Sequence, residues 1–162
     1  MQGVTIPVRL RDVTAADFDV LFEYGRDPEA VRMAAFTSKD PSDRAAFDAH
    51  WARLLADGTV RTRAVVSDGR VAGSIASFVL DGQREVTYWI GREHWGKGLA
   101  TSALAAFLRE EAHRPLFGRV AKDNVGSRRV LEKCGFRTVG EGKWFANARG
   151  AEIDELLLRL DA

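Results

Sequence analysis

The sequence lacks several features that would narrow its function at once. It has one cysteine, Cys134, in 162 residues. No disulfide can close within the chain, and a cytoplasmic setting is the simplest expectation. Neither charge sign dominates: 24 Lys and Arg stand against 23 Asp and Glu, leaving +1. That removes any bulk electrostatic argument for nucleic acid or an acidic membrane as partner. No apolar run approaches the roughly 20 residues of a membrane span, and the opening MQGVTIPVRLRD lacks the apolar core of a secretion signal. The three histidines, His50, His94 and His113, have no ligand-spaced partners, so no metal is expected. Repeats and low-complexity tracts are missing too. A single soluble domain over 1–162, long enough to bury a real core, is the expectation.

Hydrophobic periodicity sets out the elements. Val4 to Leu10 reads as a first strand. In TAADFDVLFEYGRD, Phe18, Leu21 and Phe22 recur at helical spacing after Thr14, a candidate N-cap. DPEAVRMAAFTSKDP reads as a short helix or turn followed by a loop. SDRAAFDAHWARLLADG is a helix with Phe47, Trp51, Leu54 and Leu55 on one stripe and Gly58 as its stop. The period then shortens. TVRTRAVVSDG, RVAGSIASFVLDG and REVTYWIG are strands, linked by Asp68-Gly69 and Asp81-Gly82, and Asp-Gly between β-rich runs signals a hairpin. Residues 59–91 are therefore expected as an antiparallel meander. LATSALAAFLREEAH is a helix, RPLFGRVA a strand, and NVGSRRVLEKCGF a helix that begins near Asn124 and stops at Gly135. Two strands close the chain. The order β-α-α-β-β-β-α-β-α-β-β describes an α+β fold, a mixed and mostly antiparallel sheet flanked by helices.

The segment EHWGKGLATSA, residues 93–103, joins the meander to the alanine-rich helix. Gly96 and Gly98 flank Lys97, and no acidic residue lies between Gly96 and Ser102. A helix N-terminus offers unpaired N–H groups and about half a positive charge, so phosphate binds there readily. Glycines clear the approach and allow unusual φ. The same features serve a tight turn with no ligand. A nucleotide P-loop is excluded, because Lys97 is followed by Gly98 and not by Ser or Thr, and a nucleotide-dependent kinase or ligase is disfavoured accordingly. The dinucleotide fingerprint is excluded as well, since it requires a parallel βαβ unit.

YWIGREHWGKGLATSAL followed by AKDNVGSRRVLEKCGF resembles the GNAT superfamily of acetyl-CoA-dependent N-acetyltransferases, and within it the branch of the ribosomal-protein alanine N-acetyltransferases. The motifs cover roughly 85–136. The resemblance implies a GNAT-like sheet and acetyl-CoA as co-substrate, with no metal. Its pyrophosphate loop corresponds to Trp95, Gly96, Lys97, Gly98, Leu99 and Ala100, extending to Thr101, with Trp95 at the usual Gln/Arg position. It implies that Tyr88, Trp89 and Ile90 face the pantetheine arm across a splayed strand, with a backbone N–H near Trp89 or Ile90 polarising the thioester carbonyl. It gives Asn124 the pantetheine and Ser127 the leaving thiolate, although either residue is also suited to capping the helix. Arg128 and Arg129 are alternatives for the phosphates. Many family members carry a tyrosine as general acid where this chain has Leu131. Cys134 reads as a structural residue.

Acetylation needs a neutral amine, and a carboxylate can accept the ammonium proton. Glu85 is the leading candidate, with Glu141 and Asp154 as rivals and base-free attack driven by positioning as the alternative. The resemblance brings the acceptor in beside Arg32, Met33, Phe36 and Trp144. The expected activity is direct transfer of acetyl to a primary amine, that of a protein N-terminus or a small molecule, with no activated nucleophile for a covalent intermediate. A homodimer is an allowed assembly. The alternative function is a catalytically degenerate acyl-CoA sensor or interaction module.

Gly98→Glu sets a bulky anion where pyrophosphate is expected. Calorimetric titration should show acetyl-CoA binding to the wild type and none to a correctly folded variant; binding by neither would return the glycine loop to an ordinary turn.

Overall fold

The computed structural model describes residues 7–162. The first expected strand begins at Val4, and its residues 4–6 lie outside the described part. Within it, β1 (Arg9–Arg11) is a short edge strand paired with β2 (Arg61–Ser67) from Arg9 opposite Val66 to Arg11 opposite Ala64. A 3-10 turn at Ala15–Asp17 leads into α1 (Phe18–Arg26). The Thr14 N–H donates to the Asp17 carboxylate at 2.9 Å, and Arg11 donates to both carboxylate oxygens at 2.8 Å. The stretch read as a short helix or turn forms α2 (Pro28–Ala34), with Pro28 in the first turn and the Asp27 carboxylate accepting from the Glu29 N–H.

In α3 (Arg44–Ala56), Trp51 is buried and Phe47 and Leu54 pack beside it against Phe18 and Leu21 of α1. Leu55, expected on the same stripe, is 42% exposed. Neighbouring residues on a helix are about 100° apart, so the turn that buries Leu54 carries Leu55 to the rim.

The meander follows as β2, β3 (Arg70–Leu80) and β4 (Gln83–Ile90). Both Asp-Gly turns have positive φ at each central residue, 52° and 73° at Asp68 and Gly69, 51° and 78° at Asp81 and Gly82. That geometry matches the twist of the flanking strands. After α4 (Leu99–Glu110) come β5 (Leu116–Ala121), α5 (Val125–Lys133), β6 (Arg137–Ala146) and β7 (Ala151–Leu160). Gly135, at φ 96°, ends α5 as expected.

Among the described residues, seven strands lie in the order β1-β2-β3-β4-β5-β7-β6. Alternation along each strand supplies two faces. Val86, Ile90, Leu116, Val120, Leu156 and Leu158 meet Leu104, Phe107 and Leu131 of α4 and α5 in the main core. Ala64 turns the other way, into the cluster built with α1 and α3.

Hydrogen bonding from Arg11, with a further contribution from Thr14, holds the Asp17 carboxyl below its ordinary value of 3.8. A depressed folded pKa contributes stability that is present above the unfolded value and lost as pH falls through the folded one. Asp17→Asn should therefore lower the urea midpoint at neutral pH, and the gap from wild type should narrow as pH falls below about 4; an unchanged gap at about pH 2 would remove Asp17 from the acid limb.

Candidate active site

The antiparallel meander meets the second half of the sheet through one brief parallel contact. Glu85 pairs with Phe117 and Val86 with Gly118, and no pair follows. Beyond Val86 the two strands diverge while β4 stays in register with β3 as far as Ile90 opposite Gly73. The Gly91 N–H donates to the Ala72 carbonyl at 2.8 Å. Hydrogen-bonded pairs alternate in an antiparallel ladder, so odd-numbered residues of β4 turn their backbone groups toward β3. Tyr88 and Ile90 turn theirs into the gap and Trp89 turns its own toward β3, although all three residues line the space the gap opens into. The Trp89 side chain instead leaves on the α1 side, its indole N–H donating to the Tyr24 carbonyl at 3.0 Å.

The gap opens into a cavity of about 450 Å³. Its upper wall is the glycine loop. Gly96 (φ 76°) and Gly98 (φ 74°) occupy the left-handed region, where a side chain is strained, and open space lies where a Cβ would be. Gly98 precedes the first turn of α4, whose N–H groups have no intrahelical partners. Trp95, Gly96, Gly98, Leu99, Ala100 and Thr101 line the cavity; Lys97 does not. Trp95 ties the loop down, its indole N–H donating to the Ile90 carbonyl at 2.8 Å. This donor set, backbone N–H groups at a helix start above unpaired strand groups, fits a pyrophosphate with an extended arm below it.

Asn124 and Ser127 line the opposite wall. Asn124 is the N-cap of α5, its side-chain oxygen accepting from the Ser127 N–H at 3.2 Å. Capping and cavity lining thus coexist. The Ser127 hydroxyl lies 2.8 Å from the Tyr88 hydroxyl. Leu131 is buried in the main core, and a Cβ on Gly118 would meet its methyl at 2.9 Å; this packing keeps it off the cavity wall. Cys134 is half-buried, its Sγ 3.7 Å from the Thr101 carbonyl between α4 and α5. Burial pushes its thiol above the ordinary value, the reverse of what an activated nucleophile requires. Arg128 sits 3.8 Å from Glu132 on the same helix.

Of the residues expected at the acceptor mouth, Met33 lines the cavity, together with Ala30 and Ala34 of α2. Arg32 is half-exposed and pairs with Glu29 at 2.7 Å, Phe36 packs beside Ala35, Ala121 and Ala146, and Trp144 is 55% exposed on β6; none of the three is on the wall. Spacing along the chain did not reveal which turn of α2 faces the gap.

Two features of this side carry no signal in the sequence. Ala35, at φ 67° and ψ −55°, forms a γ-turn closed by the Phe36 N–H on the Ala34 carbonyl at 2.7 Å. The tip between β6 and β7 holds it: the Ala148 N–H donates to the Ala35 carbonyl, Arg149 donates to the Arg32 carbonyl at 2.7 Å, and Arg149 also takes both oxygens of Asp123, a cavity-lining carboxylate.

Glu85 is 3% exposed and is not on the cavity wall. Both its oxygens accept from the Arg119 Nε, at 3.1 and 2.9 Å, and Arg119 also reaches Glu155 at 3.3 Å. Burial raises the Glu155 carboxyl above its ordinary value, against the pull of Arg119. Of the rivals, Glu141 is exposed and Asp154 half-buried, and they pair with Lys122 and Lys143. Glu155 was indistinguishable from its neighbours in the sequence; only the register of β7 against β5, which sets it opposite Ala121, brings it to Arg119.

The family model described as the acetyltransferase (GNAT) domain matches residues 8–137. The chain belongs to this family, the acetyl-CoA-dependent N-acetyltransferases. An uncharacterized N-acetyltransferase, p20 of Bacillus licheniformis, is 26% identical over 162 residues, covering 93% of this chain and 90% of the relative. The spermidine N-acetyltransferase of Vibrio cholerae in complex with CoA and spermine superposes with TM-score 0.82 at 18% identity, over 95% of each chain. The ribosomal-protein-alanine N-acetyltransferase of Brucella melitensis superposes with TM-score 0.80 at 19% identity, over 95% of this chain and 99% of that one. At these identities the two structures speak for the fold, whose mixed sheet and element order are the expected ones.

Trp95→Phe keeps an aromatic ring, though a smaller one, and removes one neutral hydrogen bond. The loss should weaken acetyl-CoA binding about two- to tenfold, measured by calorimetry; unchanged affinity would show that the loop needs no tie to β4.

Proposed function

We propose that the chain transfers acetyl from acetyl-CoA to a primary amine, on a protein N-terminus or a small molecule, by direct attack. The observation that carries the reading is the fork: the backbone of Tyr88 and the N–H of Ile90, left without strand partners, open into the same cavity as the glycine loop and the start of α5. In this reading the N–H groups from Gly96 to Thr101 hold the pyrophosphate, with Lys97 as a nearby cation. Asn124 holds the pantetheine. The Ile90 N–H polarises the thioester carbonyl, a preorganised donor aimed at developing charge. Ser127 donates to the sulfur as the carbon–sulfur bond breaks. The amine enters past Met33 and Ala34.

The amine proton leaves through the carboxylates on the acceptor face, by way of water. Glu85 was the expectation, and its hold on Arg119 favours Glu155 as the receiving member of the pair. The Brucella and Vibrio structures point to different acceptors, a ribosomal-protein alanine and spermidine. The cavity lining of Ala30, Met33 and Ala34 favours an acceptor with little charge close to the reacting nitrogen.

The test is a panel of an alanine-initiated peptide, spermidine and small primary amines, incubated with acetyl-CoA and followed by thiol release and by the mass of the product. Turnover of at least one amine is expected, and Glu155→Gln should lower kcat/KM at neutral pH, where the wild-type carboxylate is ionised, with the gap narrowing as pH falls and that carboxylate takes up its proton. Leu131 at the position where many family members carry tyrosine supports a second reading, a CoA binder without turnover. Tight acetyl-CoA binding with no acetylated amine would select it.

A further inference from the structure

Tyr88 and Ser127 reach the cavity from different elements, a strand of the meander and the first turn of α5. The Tyr88 oxygen lies 2.8 Å from the Ser127 Oγ and 3.1 Å from the Ser127 carbonyl oxygen. A phenol has one proton, so it can serve only one of these acceptors at a time. Two arrangements follow. In the first, Tyr88 donates to the carbonyl and the Ser127 hydroxyl donates to Tyr88, leaving no proton free. In the second, Tyr88 donates to Oγ, and the serine proton is released toward the cavity.

We infer that Tyr88 is a positioning residue for Ser127, and that the pair rotates from the first arrangement to the second as negative charge grows on the departing sulfur. The inference rests on the acetyl-transfer reading and concerns the leaving-group side of it. The main chain of Ser127 is fixed by Asn124, so its hydroxyl has only its own torsion to adjust. Burial pushes the Tyr88 phenol up to about 12, so it keeps its proton throughout the working range and acts as a donor that does not ionise. Leu131, on α5, offers no hydroxyl, and the phenol at this wall comes from β4 instead.

The step balances without ionising either hydroxyl. The nitrogen–carbon bond forms and the carbon–sulfur bond breaks, its electron pair going to sulfur. The Ser127 proton is shared with that sulfur while Tyr88 donates into Oγ, a chain in which each bond polarises the next. The attacking amine releases one proton, and the thiolate takes one from water as it leaves.

The experiment uses the full chain as wild type, Tyr88→Phe, Ser127→Ala and the double variant. Coenzyme A itself is the probe: the thiolate absorbance of the bound cofactor is followed against pH, and kcat and KM are measured with the amine turned over fastest. The bound thiol in the wild type should ionise at lower pH than free coenzyme A. In Tyr88→Phe its pKa should move back toward the free value, and kcat should fall about tenfold with KM for acetyl-CoA within about twofold. In a Ser127→Ala background, Tyr88→Phe should change neither quantity further. A Tyr88→Phe enzyme with wild-type kcat and thiol pKa overturns the inference, as does an equal loss with and without Ser127, which marks a packing role. Failure of the wild type to bind coenzyme A overturns the acetyl-transfer reading itself, and the inference with it.

Discussion

The two residue pairs that join β4 to β5, Glu85 with Phe117 and Val86 with Gly118, are the contact on which the molecule turns. Among the described residues all other pairings in the sheet are antiparallel, and the one parallel seam stops after two residues. Longer pairing would take up the backbone of Tyr88 and the N–H of Ile90 and close the cavity. Shorter pairing would detach the meander from β5, β7 and β6. The fold thus keeps a defect in its centre, and backbone polarity that a complete sheet would hide faces the cavity.

What lies on either side of the seam comes from different parts of the chain. The core side brings α4 and α5, and with them the glycine loop, Asn124 and Ser127. The other side brings α2, the β6–β7 tip and the carboxylates around Arg119. Tyr88 and Trp89, adjacent in sequence, are divided by the strand's alternation: one hydroxyl faces Ser127, and one indole is pinned to α1. A single strand therefore sends neighbouring side chains to opposite faces of the sheet.

Much of this was legible in the sequence because it is local. Asp-Gly turns, the Asn124 cap, Gly135 at the end of α5 and the glycine loop are all decided within a few residues. So is the family motif. The acceptor side was not legible, because it is assembled from segments more than 100 residues apart: Arg149 meets Arg32, and Asn147 meets the carbonyl of Thr37. Arg32, Phe36 and Trp144 were sensible expectations from position along the chain, yet a helix turn and a strand face each decide which side chain sees the cavity. Arg119 and Glu155 became visible only through the register of β7. Tyr88 was expected to contribute its backbone to the cofactor; its hydroxyl gains a partner only because α5 packs over β4.

The γ-turn at Ala35 adds a mechanical property to the acceptor wall. A φ of 67° is uphill for any residue with a side chain, and Ala35 is fully buried, held there by the Ala148 N–H and flanked by the grip of Arg149. The end of α2 thus keeps its shape through a segment more than 100 residues away in the chain, the Ala148 N–H on the Ala35 carbonyl, whereas the glycine loop opposite holds its left-handed angles with residues that adopt them without strain.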